Sequence, residues 1–180
     1  MHAKKKTFTY KEQCPIKQEE YQTELQAALQ NGKTPVYVDE SGFRTESVRQ
    51  FAYAPRGVCV SDKISSNRYR CTTLIAAQMQ GRITVPVLFE GACDTLAFNA
   101  WLENVLCPLL DTSHVVILDN ASFHKSQQTE TLITGCGASL LFLPPYSPEL
   151  NPIERDFANI KRKWEYNAEA SIDQIIKMYK

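Results

Sequence analysis

The rhythm of apolar and polar positions changes near residue 34, and the change divides the chain. Residues 1–33 are polar, with one helical stretch around Glu19 to Gln30 and a stop signal at Asn31-Gly32. From Thr34 onward short apolar runs alternate with longer periodic ones. Pro35-Val36-Tyr37-Val38 is a β-rich run ending at Asp39-Glu40-Ser41-Gly42, and Phe51 to Ala54 is a brief strand candidate. Arg70 to Gln80 and Arg82 to Phe89 flank Gly81 as a hairpin. Leu96 to Leu110 carries Phe98, Trp101, Leu102, Val105, Leu106 and Leu109 at the spacing of an amphipathic helix.

Val115-Val116-Ile117-Leu118 is wholly apolar, as a strand covered on both faces should be. A polar helix follows at about His124 to Thr134 and is broken by Gly135-Cys136-Gly137. Leu140 to Leu143 is a last short strand, and Pro144-Pro145-Tyr146-Ser147-Pro148 a rigid turn. A long helix starts near Asn151, with Leu150, Ile153, Phe157, Ile160 and Trp164 three and four apart as one buried stripe. The order strand, paired strands, helix, strand, helix, strand, helix implies an α/β fold with a mixed sheet.

Composition narrows the classes. A chain of 180 residues, 43% apolar and 22% charged, is one ordinary domain with a short appendage. Lys plus Arg and Asp plus Glu number 20 each, so no whole-chain field draws it to a polyanion; any such site needs a local cluster. No apolar run approaches the roughly 18 residues of a membrane span. The basic start Met1 to Lys6 leads into polar Thr7 to Gln13 rather than the apolar core of a signal peptide. Six cysteines without a C-x-x-C pair or zinc-finger histidines read as reduced core thiols, which places the protein in the cytoplasm.

Three carboxylates stand out. Asp39 and Asp119 end strands, where ligands of open α/β sheets gather. On parallel neighbours about 4.8 Å apart they would share one edge. Glu154 borders the buried stripe of the last helix and can face that edge. Three converging carboxylates need a proton or a divalent cation, and oxygen-only ligands suit Mg²⁺ or Mn²⁺. Each acid has an ordinary alternative. Asp39 could form a turn, Asp119-Asn120 an Asx turn, and Glu154 a capping box with Asn151 as N-cap and Pro152 first in the helix. Glu40, Asp62, Glu90, Asp94, Asp111, Glu149 and Asp156 are possible substitutes.

The strings VYVDESGF (36–43), APRG (54–57), VVILDNASFHKS (115–126) and LLFLPPYSPELNPIER (140–155) discriminate further. In order and spacing they resemble the DDE transposases of the mariner superfamily, most of all the bacterial insertion-sequence branch of the IS-six-thirty type. The likeness runs from about residue 34 to 165. It implies an RNase H-like fold, a five-stranded mixed sheet flanked by helices whose first and fourth strands carry the two aspartates. It also implies that Asp39, Asp119 and Glu154 hold two Mg²⁺ or Mn²⁺ ions, with thirty-four residues (120–153) between the last two. The implied chemistry is hydrolysis at transposon ends, then attack of the freed 3′-hydroxyl on target DNA.

Around the triad, Asn120 and His124 are candidates for orienting the Asp119 loop or touching phosphate. Arg155, Lys161, Arg162 and Lys163 form a basic patch suited to DNA, or a solvated helix face. Tyr146 and its prolines should fix the start of the last helix, ahead of base stacking, and Trp164 should be core. Relatives of this kind carry helix-turn-helix modules before the catalytic domain, and residues 1–33 contain none. The expected division is a linker and helix (1–33), a catalytic domain (34–166) and a C-terminal tail or helix (167–180). The expected partners are DNA at transposon ends and target, a separate or fused helix-turn-helix region and a homodimer mate, with no membrane. The competing reading is a non-catalytic fragment that regulates or partners a DNA-binding transposase subunit; a general RNase H-like nuclease is a third.

Overall fold

The computed structural model describes residues 11–44, 54–59, 71–167 and 170–179. A polar helix α1 (Pro15–Gln30) begins with proline at its first position and leads into strand β1 (Thr34–Arg44). Strands β2 (Cys71–Met79) and β3 (Arg82–Glu90) form the expected hairpin. Its two-residue turn, Gln80-Gly81, has φ of 51° and 74°, the mirror-image turn that suits twisted strands and favours glycine. Then come α2 (Thr95–Trp101), β4 (His114–Leu118), α3 (Gln127–Gly135), β5 (Ser139–Phe142), α4 (Ile153–Tyr166) and α5 (Ile172–Lys177). The strand candidate at 51–54 falls almost wholly on residues outside those described.

The sheet has five strands in the order β3-β2-β1-β4-β5. β1 pairs antiparallel with β2 and parallel with β4, and β4 pairs parallel with β5. This is the mixed α/β sheet expected, of RNase H-like form. On one face Val36, Val38, Ile75, Ala77, Val116 and Leu118 pack against Phe98, Trp101, Leu102, Leu106 and Ile133. On the other, Phe43, Leu74 and Ala76 receive Ile153, Phe157 and Ile160 of α4 and Ile175 of α5. Tyr21 of α1 packs with Ile117 and Leu143.

Five expectations are corrected. β1 does not end at Asp39: its pairing with β2 continues through Arg44, and only the β4 ladder stops, at Tyr37↔Ile117. The Leu96–Leu110 stripe is α-helical only to Trp101; it widens to a π-turn at Leu102–Leu106 and tightens to a 3₁₀ turn at Cys107–Leu109, where Pro108 cannot donate an N–H. His124 stands in a separate 3₁₀ turn, Ser122–Lys125, because Ser126 caps α3 by accepting from the Thr129 N–H. All six cysteines are free thiols, but none is fully buried: Cys59 and Cys71 are exposed and the other four half-buried, with Cys93, Cys107 and Cys136 packed against the main core. Trp164 is only partly buried, edge-on to Phe43 at 5.8 Å between ring centres.

Candidate active site

The register of the central strands levels the two aspartates. Two residues beyond the last β1–β4 pair, Tyr37↔Ile117, each strand reaches its acid, Asp39 on β1 and Asp119 just past β4. Side chains alternate along a strand. Asp39 therefore shares the face of Tyr37 and Phe43, toward α4, while Glu40 shares the opposite face with Val36 and Val38. α4 begins beside this edge, and its second residue is Glu154. Asp39, Asp119 and Glu154 line one cleft, together with Asn120, Asn151 and the wall Leu143 to Pro148.

Asp39 is 9% exposed. Its Oδ1 accepts from the Glu40 N–H at 2.8 Å and its Oδ2 from Asn151 Nδ2 at 2.9 Å. Burial pushes its carboxyl up to about 8, helped by the charges of Glu40, Glu154 and Asp119 and opposed by the Glu40 N–H. A carboxylate held in this way lacks positive compensation.

Asp119 is better served. Its Oδ1 accepts from the Ala121 N–H at 2.8 Å and faces His124 Nδ1 at 2.6 Å. The Asx turn foreseen at Asp119-Asn120 thus forms, and it uses one oxygen. Burial would raise this carboxyl, but the His124 and Ala121 hydrogen bonds and the charges of His124 and Lys125 lower it overall. His124 Nε2 faces Glu40 Oε1 at 3.0 Å. Burial disfavours the imidazolium, yet the two carboxylates outweigh it and raise His124 to about 9.

Glu154 is exposed and caps nothing. The capping box fails because the Asn151 side chain is turned inward to Asp39 and α4 has no side-chain cap. Oxygen donors of this kind fit a hard divalent ion. The buried Asn151 Oδ1, in the cleft lining, has no partner among the described residues. The spacing is open, however: among the described residues no three His, Cys, Asp or Glu side chains converge as an ion cage.

The remaining candidates scatter. Asn120 Nδ2 donates to the Leu143 carbonyl, tying the β4 loop to the end of β5. His124 is fully buried, so its ring turns to carboxylates and reaches no phosphate at the surface. Lys161 lies over the Phe43 ring of β1, Lys163 over Tyr179 after α5, and Arg162 donates to Asn159 of α4 itself, and none of the three lines the cleft. Arg155 is exposed beside Glu154. Tyr146 lies 56% exposed at φ 56°, a left-handed conformation that strains a non-glycine residue. It forms part of the cleft wall. Glu40 and Asn151 are the residues whose part the sequence concealed; only alternation along β1 could have set Glu40 on the face opposite Asp39.

A model of the DDE superfamily endonuclease family matches residues 34–176. The chain belongs to that family. A protein described as uncharacterized, y4pE/y4sA of Sinorhizobium fredii (strain NBRC 101917 / NGR234), is 38% identical over 76 residues, 42% of this chain and 54% of that protein. Among solved structures, the mariner Mos1 paired-end complex with Mg aligns at a TM-score of 0.72 and 16% identity, covering 99% of this chain and 57% of that one. The Mos1 transposase catalytic domain with raltegravir and Mg aligns at 0.62 and 14% identity, covering 96% and 82%. At these identities the structural likeness establishes the fold alone, that of the Mos1 transposase catalytic domain. The chain spans about half the length of the curated relative and of the Mos1 chain in its paired-end complex.

Proposed function

We propose that this DDE endonuclease domain is the catalytic domain of an insertion-sequence transposase, of the IS-six-thirty branch of the mariner superfamily, cutting and joining DNA at the ends of its element. The observation that carries the reading is the shared cleft. Asp39, Asp119 and Glu154, drawn from β1, the end of β4 and α4, line one cavity at the carboxyl edge of the parallel strands. These three residues would hold Mg²⁺ or Mn²⁺, two ions in the full assembly, and the ions would supply activation of the attacking oxygen and stabilisation of the leaving one.

The chain's own residues do the rest. Asn151 and the Glu40 N–H fix Asp39, and His124 with the Ala121 N–H fixes Asp119. Arg155, exposed beside Glu154, is suited to a phosphate of the bound strand. A chain with zero net charge gains little general attraction to DNA. Recognition of the element's ends therefore falls to a helix-turn-helix region, separate or fused, and the paired ends to a second copy. The Mos1 structures that share the fold are paired-end complexes, one of them with the left transposon end, which supports DNA as the partner. No helix among the described residues is long and apolar enough to cross a membrane; a DNA enzyme of this kind works in the cytoplasm.

The open spacing of the acids favours one competing reading, a fragment that partners a transposase without cutting DNA. Calorimetric titration with Mn²⁺ separates them. The catalytic reading expects binding that vanishes in Asp39→Asn and in Asp119→Asn; an unaltered chain that takes up no Mn²⁺ leaves the fragment reading.

A further inference from the structure

The fully buried His124 lies between the carboxylates of Glu40 and Asp119. We propose that Glu40 is a positioning residue of this site: acting through His124, it sets the Asp119 carboxylate so that one oxygen is engaged and the other stays turned to the cleft. The inference rests on the reading of Asp119 as a metal ligand.

The geometry is specific. Alternation along β1 sends Glu40 to the face opposite Asp39, where His124 lies 0% exposed. The ring is boxed by Phe98 and Phe123, with centroids at 4.3 and 4.2 Å. Nε2 meets Glu40 Oε1 at 3.0 Å and Nδ1 meets Asp119 Oδ1 at 2.6 Å. Carboxylates only accept, so a ring serving both must carry a proton on each nitrogen. Asp119 Oδ1 already accepts from the Ala121 N–H, so the ring completes its set. Among the described residues no hydrogen bond occupies Asp119 Oδ2.

Glu40 is what makes the clamp rigid. Its side chain is 11% exposed, so it does not swing freely into solvent. Without its charge the outer nitrogen loses a charge-assisted partner inside an aromatic box, and the ring loses the constraint that orients its other nitrogen. Asp119 would then turn about its own side-chain bonds.

The test uses the full 180-residue chain. Mn²⁺ affinity is measured by calorimetry, folding by thermal melting, and the histidine by ¹⁵N NMR. Glu40→Gln, which keeps the shape, is expected to weaken Mn²⁺ binding by about tenfold, in the range typical of outer-shell partners. Both His124 nitrogens should resonate as imidazolium donors in the native chain, and the Nε2 signal should move in the variant. His124→Asn supplies a donor to Asp119 that falls short of Glu40. In that background Glu40→Gln should change the affinity less than about twofold, as a shared route requires.

Unchanged Mn²⁺ affinity in Glu40→Gln overturns the proposal, as does a full effect persisting beside His124→Asn. A native chain that fails to bind Mn²⁺ defeats the metal reading instead. The positioning claim is then decided by the Asp119 carboxyl ¹³C signal, which must move in Glu40→Gln and falls if it stays still. Should Glu40→Gln not fold, His124→Gln carries the same metal and ¹³C comparisons.

Discussion

The strand-tip acids and the helix acid are prepared in opposite ways. Asp39 and Asp119 are fixed by hydrogen bonds from Asn151, Ala121, His124 and the Glu40 backbone before anything binds. Glu154 is exposed, outside any cap, on the first turn of a helix. One half of the cleft is therefore held by hydrogen bonds, while the Glu154 side chain stands exposed on a seated helix. On the proposed catalytic reading, binding energy would go mainly into bringing Glu154 toward the two aspartates.

Glu154→Gln breaks this comparison most sharply. Cleavage should fall on the order of 10³-fold, the several kcal/mol that an ion-held charge supplies to such a reaction. The melting temperature should hold, because an exposed side chain with no capping role contributes little to folding. Cleavage of a plasmid carrying the element's ends, with melting run in parallel, checks both halves. Survival of cleavage would remove Glu154 from the site.

The next effect is on folding. Phe157 is 2% exposed and joins Ile153 and Ile160 in seating α4 on Phe43, Leu74 and Ala76. Phe157→Ala should cost about 3–5 kcal/mol in denaturant unfolding, as buried aromatic truncations do. It should also impair cleavage, since the helix that carries Glu154 loses its seat. A loss below about 1 kcal/mol would mean that α4 is held by something other than this stripe.

That stripe was legible in the sequence because three–four spacing is a property of one helix alone. The aspartates were legible as chemistry, but their setting was not. Asp39-Glu40-Ser41-Gly42 looks like a turn, and only the β2 partner, far along the chain, keeps it extended. Asn151-Pro152-Ile153-Glu154 satisfies a local capping pattern, yet a tertiary acceptor, Asp39, captures the asparagine amide. The basic run on α4 suggested DNA, while Lys161 and Lys163 spend their charge over aromatic rings. Local signals misled wherever a distant group competed for the same side chain.

The two faces of β1 should also separate by pH. Asp39 is raised from 3.8 to about 8, so the folded state holds its proton more tightly and stability falls as pH climbs through that interval. His124 is raised from 6.5 to about 9, so the stability it contributes is present below 6.5 and lost as pH rises through about 9. Melting temperature followed from pH 4 to 10 should decline across both windows. Asp39→Asn should flatten the lower window and melt above the native chain at pH 8, even as Mn²⁺ binding disappears. A variant that instead melts lower at pH 8 would mean that Asp39 is stabilising as a charge.

The smallest expected effect concerns what steadies the cleft wall from outside. Gln13 Nε2 donates to the Tyr146 carbonyl at 2.8 Å, and Gln18 Nε2 donates to Ser147 Oγ at 2.9 Å and Glu149 Oε1 at 3.0 Å. These bonds link α1 and Gln13, just before its N-cap, to the strained Tyr146 turn of the cleft wall. Partly solvated hydrogen bonds of this kind contribute about 1 kcal/mol or less each, so Gln18→Ala should barely shift global unfolding. Its effect should be local. Hydrogen exchange at the Leu150 and Asn151 amides, which close onto Ser147 and Pro148, should quicken severalfold while β4 amides stay protected. Equal protection in both proteins would show that the proline-rich wall keeps its shape without the Gln18 side chain.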